Sequence, residues 1–168
     1  MRTLDSLLTS VRCATALTAS GWQDNCVVEF DASGRIKSVR EDDDSAVDLD
    51  LKGIVIAGIP NLHSHAHQKV ISGLAECRIA GQDDFWGWRE LMYRANASLE
   101  PEQLQTTARY LYIDMLQKGY TSVAEFHYLH HQPDGTPYAD HSEMSARLLD
   151  AASEVGIAIT LLPVLYCR

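Results

Sequence analysis

No stretch of the 168 residues approaches the about 20 consecutive apolar residues that a membrane-spanning helix needs. Arg2, Asp5 and Arg12 interrupt the first twenty residues, which leaves no apolar core for a secretory signal. The four cysteines, Cys13, Cys26, Cys77 and Cys167, lie scattered without CxxC spacing, excluding a zinc knuckle and giving no disulfide framework. Reduced thiols in a soluble cytoplasmic protein are the simplest reading. Basic residues are also short: 14 Lys and Arg stand against 23 Asp and Glu, for a formal net charge of -9. With an acidic run at Glu41, Asp42, Asp43 and Asp44, this balance argues against a nucleic-acid partner or an anionic membrane surface. An anionic substrate would have to be met by a local arginine. There is no low-complexity tract, and a composition 46% hydrophobic and 22% charged is that of a globular protein.

What is present divides by pattern. Residues 26–40 read as two short strands around a turn at Asp31, Ala32, Ser33 and Gly34, a β-hairpin. The acidic segment from Glu41 to Asp50 reads as a solvated loop or edge. The apolar run Ile54, Val55, Ile56, Ala57 is expected to be a buried strand ending at Gly58, Ile59 and Pro60. Beyond it strands and helices alternate. An aromatic cluster over 83–97 predicts a short helix, and the spacing of Leu104, Ala108, Leu111, Tyr112, Met115 and Leu116 predicts a longer one from Pro101 to a stop at Gly119. Residues 120–128 are rich in β-formers. Asp140 and Glu143 have capping-box spacing before a helix that Gly156 stops, and a third strand runs from Ile157 through Pro163 to Tyr166. Strand-helix recurrence of this kind fits a doubly wound sheet or a (β/α)8 barrel. A barrel takes about 250 residues, so on that reading only its first part is here.

The densest chemistry lies at Asn61, Leu62, His63, Ser64, His65, Ala66, His67 and Gln68. Strand side chains alternate faces, so His63 and His65 are expected to point one way at a strand's C-terminal end, where parallel α/β sheets place their sites. Two imidazoles so placed are half of a metal site, since a hydrolytic zinc takes about three protein ligands and keeps one position open. His67 shares their parity but is expected to have left the strand. At the second strand's end, Glu125 reads as an interior ion-pair partner, His130, His131 and His141 as loop histidines, and Tyr128 as a phenol able to donate to a substrate oxygen. Arg89, among Phe85, Trp86 and Trp88, could present a planar fork to a carboxylate or stack on the aromatics of its own helix.

The strand followed by NLHSHAHQ resembles the first-strand metal motif of the amidohydrolase superfamily. The stretches DDFWGWRELMYR (83–94), KGYTSVAEFHYLHHQPDGTPYAD (118–140) and TLLPVLY (160–166) resemble the formimidoylglutamate deiminase family within it. The resemblance implies an α/β fold: the first part of a metal-dependent hydrolase (β/α)8 barrel over 58–168, incomplete, preceded over 1–57 by the N-terminal strands of a small β-sandwich. It implies His63 and His65 as ligands of one zinc ion, and Gln68, Arg89 and Tyr128 as substrate contacts. The remaining ligands and the catalytic groups are expected beyond Arg168, so that these residues alone would be inactive. The implied activity is hydrolysis of N-formimino-L-glutamate to N-formyl-L-glutamate and ammonia, in a homodimer when full length. His67 departs from the pattern, standing where the family usually has phenylalanine. Two other readings stay open: a superfamily deaminase or chlorohydrolase acting on a heterocycle, and a non-catalytic metal-binding fragment.

Overall fold

A computed structural model describes residues 8–74 and 85–165. The chain divides into two compact units, Met1–Ala57 and Gly58–Arg168.

In the first unit, β1 (Ser10–Thr18), β2 (Gly21–Phe30), β3 (Ile36–Glu41) and β4 (Leu49–Val55) form one sheet in the order β3-β2-β1-β4. The expected hairpin is β2 and β3. Its turn is held by the Asp31 carboxylate, which accepts from the Ser33 amide at 2.8 Å and the Arg35 amide at 3.0 Å, while Gly34 takes a φ of 77°. Val11, Cys13, Ala16 and Cys26 make the buried core, with Val28, Phe30, Leu51 and Val55 packed on it. Asp42 and Asp48, within the acidic segment, are tied back to β1: Arg12 donates to Asp42 at 2.7 Å, and the Thr9 amide to Asp48 at 2.9 Å.

The run at 54–57 is not the buried strand that carries the histidines. Ile54 and Ile56 are 74% and 55% exposed, and Val55 ends β4, which pairs parallel with β1 in the first sheet. The histidine-bearing strand is the next one, β5 (Ile59–Ser64), which opens the second unit. An apolar run shows that a strand is favoured, not which sheet receives it. Gly58 precedes β5 because the chain passes close to Thr121: a Cβ at Gly58 would lie 2.3 Å from Thr121 Cγ2. Pro60 is tolerated within β5, at a shift in its register against β6.

The second unit continues with a 3-10 segment (Ala66–Ile71), α1 (Phe85–Asn96), α2 (Pro101–Gln117), β6 (Tyr120–His127), α3 (Glu143–Val155) and β7 (Ala158–Pro163). Its sheet is parallel, in the order β5-β6-β7, and open among the described residues. Pro101 sits in the first turn of α2, where a missing N–H costs nothing, and Gln103 caps the Glu100 amide at 3.0 Å. At α3 the expected capping box does not form: Ser142 is the N-cap residue, and Asp140 accepts instead from the Ser142 amide and hydroxyl. Leu104, Ala108 and Tyr112 of α2 and Met144, Leu148, Ala151 and Ala152 of α3 bury one face of each helix in a core that reaches Val123 of β6. No helix among the described residues is long and apolar enough to cross a membrane. Asp83, at the start of the expected first helix, and Tyr166, Cys77 and Cys167 lie outside the described residues.

Candidate metal centre

β6 organises the site because its side chains alternate. Val123, Glu125 and His127 are buried on one face, and Val123 joins the helical core. Phe126 and, just past the strand, Tyr128 have the other parity and meet residues at and just beyond the end of β5. The His63 and His65 rings approach Phe126 at 4.7 and 5.9 Å between centroids, and His65 and His67 approach Tyr128 at 5.6 and 4.5 Å.

His63 is the penultimate residue of β5 and His65 lies one residue beyond its end. Their rings nevertheless meet edge to face at 4.8 Å and 84°. His63 is exposed and His65 half-buried. His65 Nδ1 lies 3.0 Å from the Phe126 carbonyl oxygen, a group that can only accept, so Nδ1 carries the ring proton and Nε2 keeps its lone pair. Burial holds His65 below the ordinary histidine range, which favours the neutral ring. A neutral imidazole whose second nitrogen donates to a carbonyl is the form a metal-binding histidine takes. The donor set therefore fits two of the ligands of a divalent ion. Among the described residues no third His, Cys, Asp or Glu joins them in a cluster able to hold a metal.

Gln68 and Tyr128 come together beside this pair, with Gln68 Nε2 donating to the Tyr128 hydroxyl at 3.2 Å. Both also touch Met92 of α1, at 3.6 and 3.3 Å from its sulfur. Arg89 lies one helical turn before Met92. Its Nε donates to the Tyr93 hydroxyl at 2.8 Å, and its guanidinium lies over the rings of Trp86 and Tyr93, at 5.4 and 5.1 Å. The stacking expected as one option for Arg89 is thus present, and the fork is held on the helix that backs Gln68 and Tyr128.

Three features could not be read from residue types. The Phe126 carbonyl is a backbone group. Glu125 has no ion-pair partner among the described residues, unlike the expectation for it: its Oε1 accepts from the Ala66 amide at 2.5 Å. His67, beyond the strand as expected, is 1% exposed, with no hydrogen-bond partner for Nε2 among the described residues, and burial pushes its pKa down to about 3. Of the loop histidines, His130 stands 3.1 Å from the Val164 carbonyl and His131 forms an isolated bridge with Pro137.

No family model matches the chain. It is 49% identical over 159 residues to the formimidoylglutamate deiminase of Pseudomonas aeruginosa, a match covering 95% of this chain and 35% of that protein. The crystal structure of an amidohydrolase from Brucella melitensis is 45% identical, with a TM-score of 0.87 over 95% of this chain and 35% of its own. Atrazine chlorohydrolase from Arthrobacter aurescens, solved in complex with zinc, is 20% identical with a TM-score of 0.71, covering 92% of this chain and 35% of its own, a likeness of fold. The chain spans about a third of the length of these relatives. In fold it matches the N-terminal part of amidohydrolase-superfamily structures, and in sequence it is similar to formimidoylglutamate deiminase over nearly its whole length.

Proposed function

We propose that these residues form the first part of a metal-dependent hydrolase that converts N-formimino-L-glutamate to N-formyl-L-glutamate and ammonia. The observation that carries the reading is the His63–His65 pair, with His65 fixed through Nδ1 on the Phe126 carbonyl and the Gln68–Tyr128 pair beside it. The name of the Pseudomonas aeruginosa relative supplies the substrate, and the zinc held by the chlorohydrolase of the same fold supplies the metal. On this reading Met1–Ala57 is the N-terminal part of a small β-sandwich, and Gly58–Arg168 holds the first three β/α units of a barrel. The remaining ligands belong to further strands. A cytoplasmic homodimer is part of the same proposal.

His63 and His65 would hold a zinc ion through neutral nitrogens. Bound there, the ion would supply Lewis acidity and make water a usable nucleophile near neutral pH. The protein's own residues do the positioning. Tyr128 and Gln68, already hydrogen-bonded to each other, present a hydroxyl and an amide to the polar end of a substrate. Arg89, with its plane fixed by Trp86 and Tyr93, supplies the local cation that a dianion requires in a protein of net charge -9. Water adds to the formimino carbon, the carbon-nitrogen double bond becomes a carbonyl, and the terminal nitrogen leaves as ammonia.

Ammonia release from N-formimino-L-glutamate and guanine, and chloride release from atrazine, test the reading, with these residues in a zinc-loaded chain of the relatives' length. Turnover of the first, at least 100-fold slower after His63→Ala or His65→Ala, is expected on loss of a ligand. For Arg89→Ala the expected defect lies chiefly in KM. Turnover of guanine or atrazine with none of formiminoglutamate would overturn the assignment.

A further inference from the structure

The mechanism above leaves one buried acid unused. Glu125 is 0% exposed, faces the helical layer rather than the site, and has no ion-pair partner among the described residues. Its surroundings include Ala66, Val123 and Tyr112, all in the apolar core of the second unit. A space-filling side chain there would be apolar, since burying an acid without a cation is unfavourable in either protonation state. Burial raises the pKa of Glu125, while the Ala66 amide, Ser64 and Tyr112 favour its charged form.

What the carboxyl does is visible in its close hydrogen bond with the Ala66 amide. Ala66 follows His65 and opens the 3-10 segment Ala66–Ile71, whose N-cap residue is His65 itself, with no side-chain cap. The first amides of such a segment have no partner within it, and Ala66 is 0% exposed, so water does not replace one. Glu125 Oε1 receives that amide at 2.5 Å across 59 positions of sequence, and Glu125 also stands in register with Ser64 across the sheet. The next residue of β6, Phe126, receives His65 Nδ1 at 3.0 Å. Two consecutive residues of β6 therefore hold His65 from both sides, one by its ring and one by the peptide that follows it.

We propose that Glu125 is a positioning residue for the His63–His65 pair: by accepting the Ala66 amide it fixes the backbone turn at which the chain leaves β5, and with it the direction of the His65 ring. It touches neither metal nor substrate. The proposal rests on the reading of His63 and His65 as metal ligands, and extends it to a side chain on the opposite face of the neighbouring strand.

The test compares Glu125→Gln, which keeps an acceptor at Oε1, with Glu125→Leu, which fills the space without one, and Glu125→Asp, which withdraws the oxygen by one methylene. Three measurements are read with these residues in a chain of the relatives' length: hydrogen exchange of the Ala66 amide, the protonated nitrogen of the metal-free His65 ring by ¹⁵N NMR, and zinc affinity by competition with a chromophoric chelator. Glu125→Gln is expected to stay within about threefold of the parent in exchange and zinc affinity, whereas Leu and Asp speed Ala66 exchange and weaken zinc about tenfold or more, the usual effect of losing an outer-shell partner. In those two variants the ring proton is also expected to exchange between nitrogens. If Glu125→Leu does not fold, Glu125→Asp carries the comparison alone. Parental Ala66 protection and a fixed Nδ1–H in a folded Asp or Leu variant would overturn the proposal. Zinc bound by the parent no better than by a His63→Ala, His65→Ala double variant would instead sink the metal reading, with the exchange and ring measurements still deciding the role of Glu125.

Discussion

His67 occupies a site where an imidazole is costly. Its ring is 1% exposed and packs edge-on against Tyr128 at 4.5 Å, yet Nε2 has no hydrogen-bond partner among the described residues. A neutral imidazole has one donor and one acceptor, and a buried one left unmet costs about 1–3 kcal/mol. The resemblance read from the sequence calls for phenylalanine here, a ring that keeps the edge contact and has no nitrogen to satisfy. Substituting His67→Phe is therefore expected to raise the unfolding free energy by about 1 kcal/mol, seen as a higher urea midpoint at unchanged slope. A lower midpoint would mean that Nε2 is engaged in solution. The sequence showed that this residue departs from a pattern; it could not show that the departure is buried, because burial here is set by the Tyr128 ring, brought in from 61 positions away.

Among the elements, those defined by local chemistry were legible and those defined by distant partners were not. The hairpin of β2 and β3 was readable because Asp31 and Gly34 form its turn within four residues, and α2 because its apolar spacing and Gly119 mark one face and one end. The run at 54–57 misled because apolar character favours a strand without choosing a sheet: Val55 packs on the first unit's core while Ile54 and Ile56 are exposed. Placing the strand at β5 instead depends on Gly58 passing Thr121, a contact spanning an entire strand-helix unit. That contact is testable. Gly58→Ala would put a Cβ 2.3 Å from Thr121 Cγ2 and 2.8 Å from Thr121 Cβ, so something must shift. A loss of about 1–3 kcal/mol is expected, as for other overpacked sites. Adding Thr121→Gly removes the obstructing atoms and should recover much of it, so that urea melts of the four proteins in the cycle give a coupling of about 1 kcal/mol or more. Additive effects would show that the close approach is not what requires glycine at position 58.

For the molecule as a whole, the buried histidines of the second unit make stability depend on pH in a definite direction. His127 is 0% exposed, and burial, reinforced by the neighbouring His130, lowers its pKa to about 4 from an ordinary 6.5. A group whose folded pKa is depressed is protonated more readily in the unfolded chain, so the stability it lends is present above about pH 6.5 and is lost progressively as pH falls towards 4. Carboxylates of the first unit act in the same sense at lower pH: serine, threonine and arginine partners hold Asp31, Asp42 and Asp48 below the usual carboxylate range. Glu125 opposes them. Its raised pKa means that the folded state holds a proton the unfolded state has released, a contribution lost as pH rises. Between pH 7 and pH 5 the His127 effect amounts to about 2 kcal/mol by proton linkage, a large share of the stability of an ordinary domain. Unfolding in urea at pH 7 and pH 5 should show that loss in the parent chain, and His127→Phe, which has no proton to bind, should show a difference between the two pH values smaller by about the same 2 kcal/mol. An equal difference in both proteins would mean that His127 keeps a partner able to hold its proton in the folded state, and that the acid sensitivity of the second unit lies elsewhere.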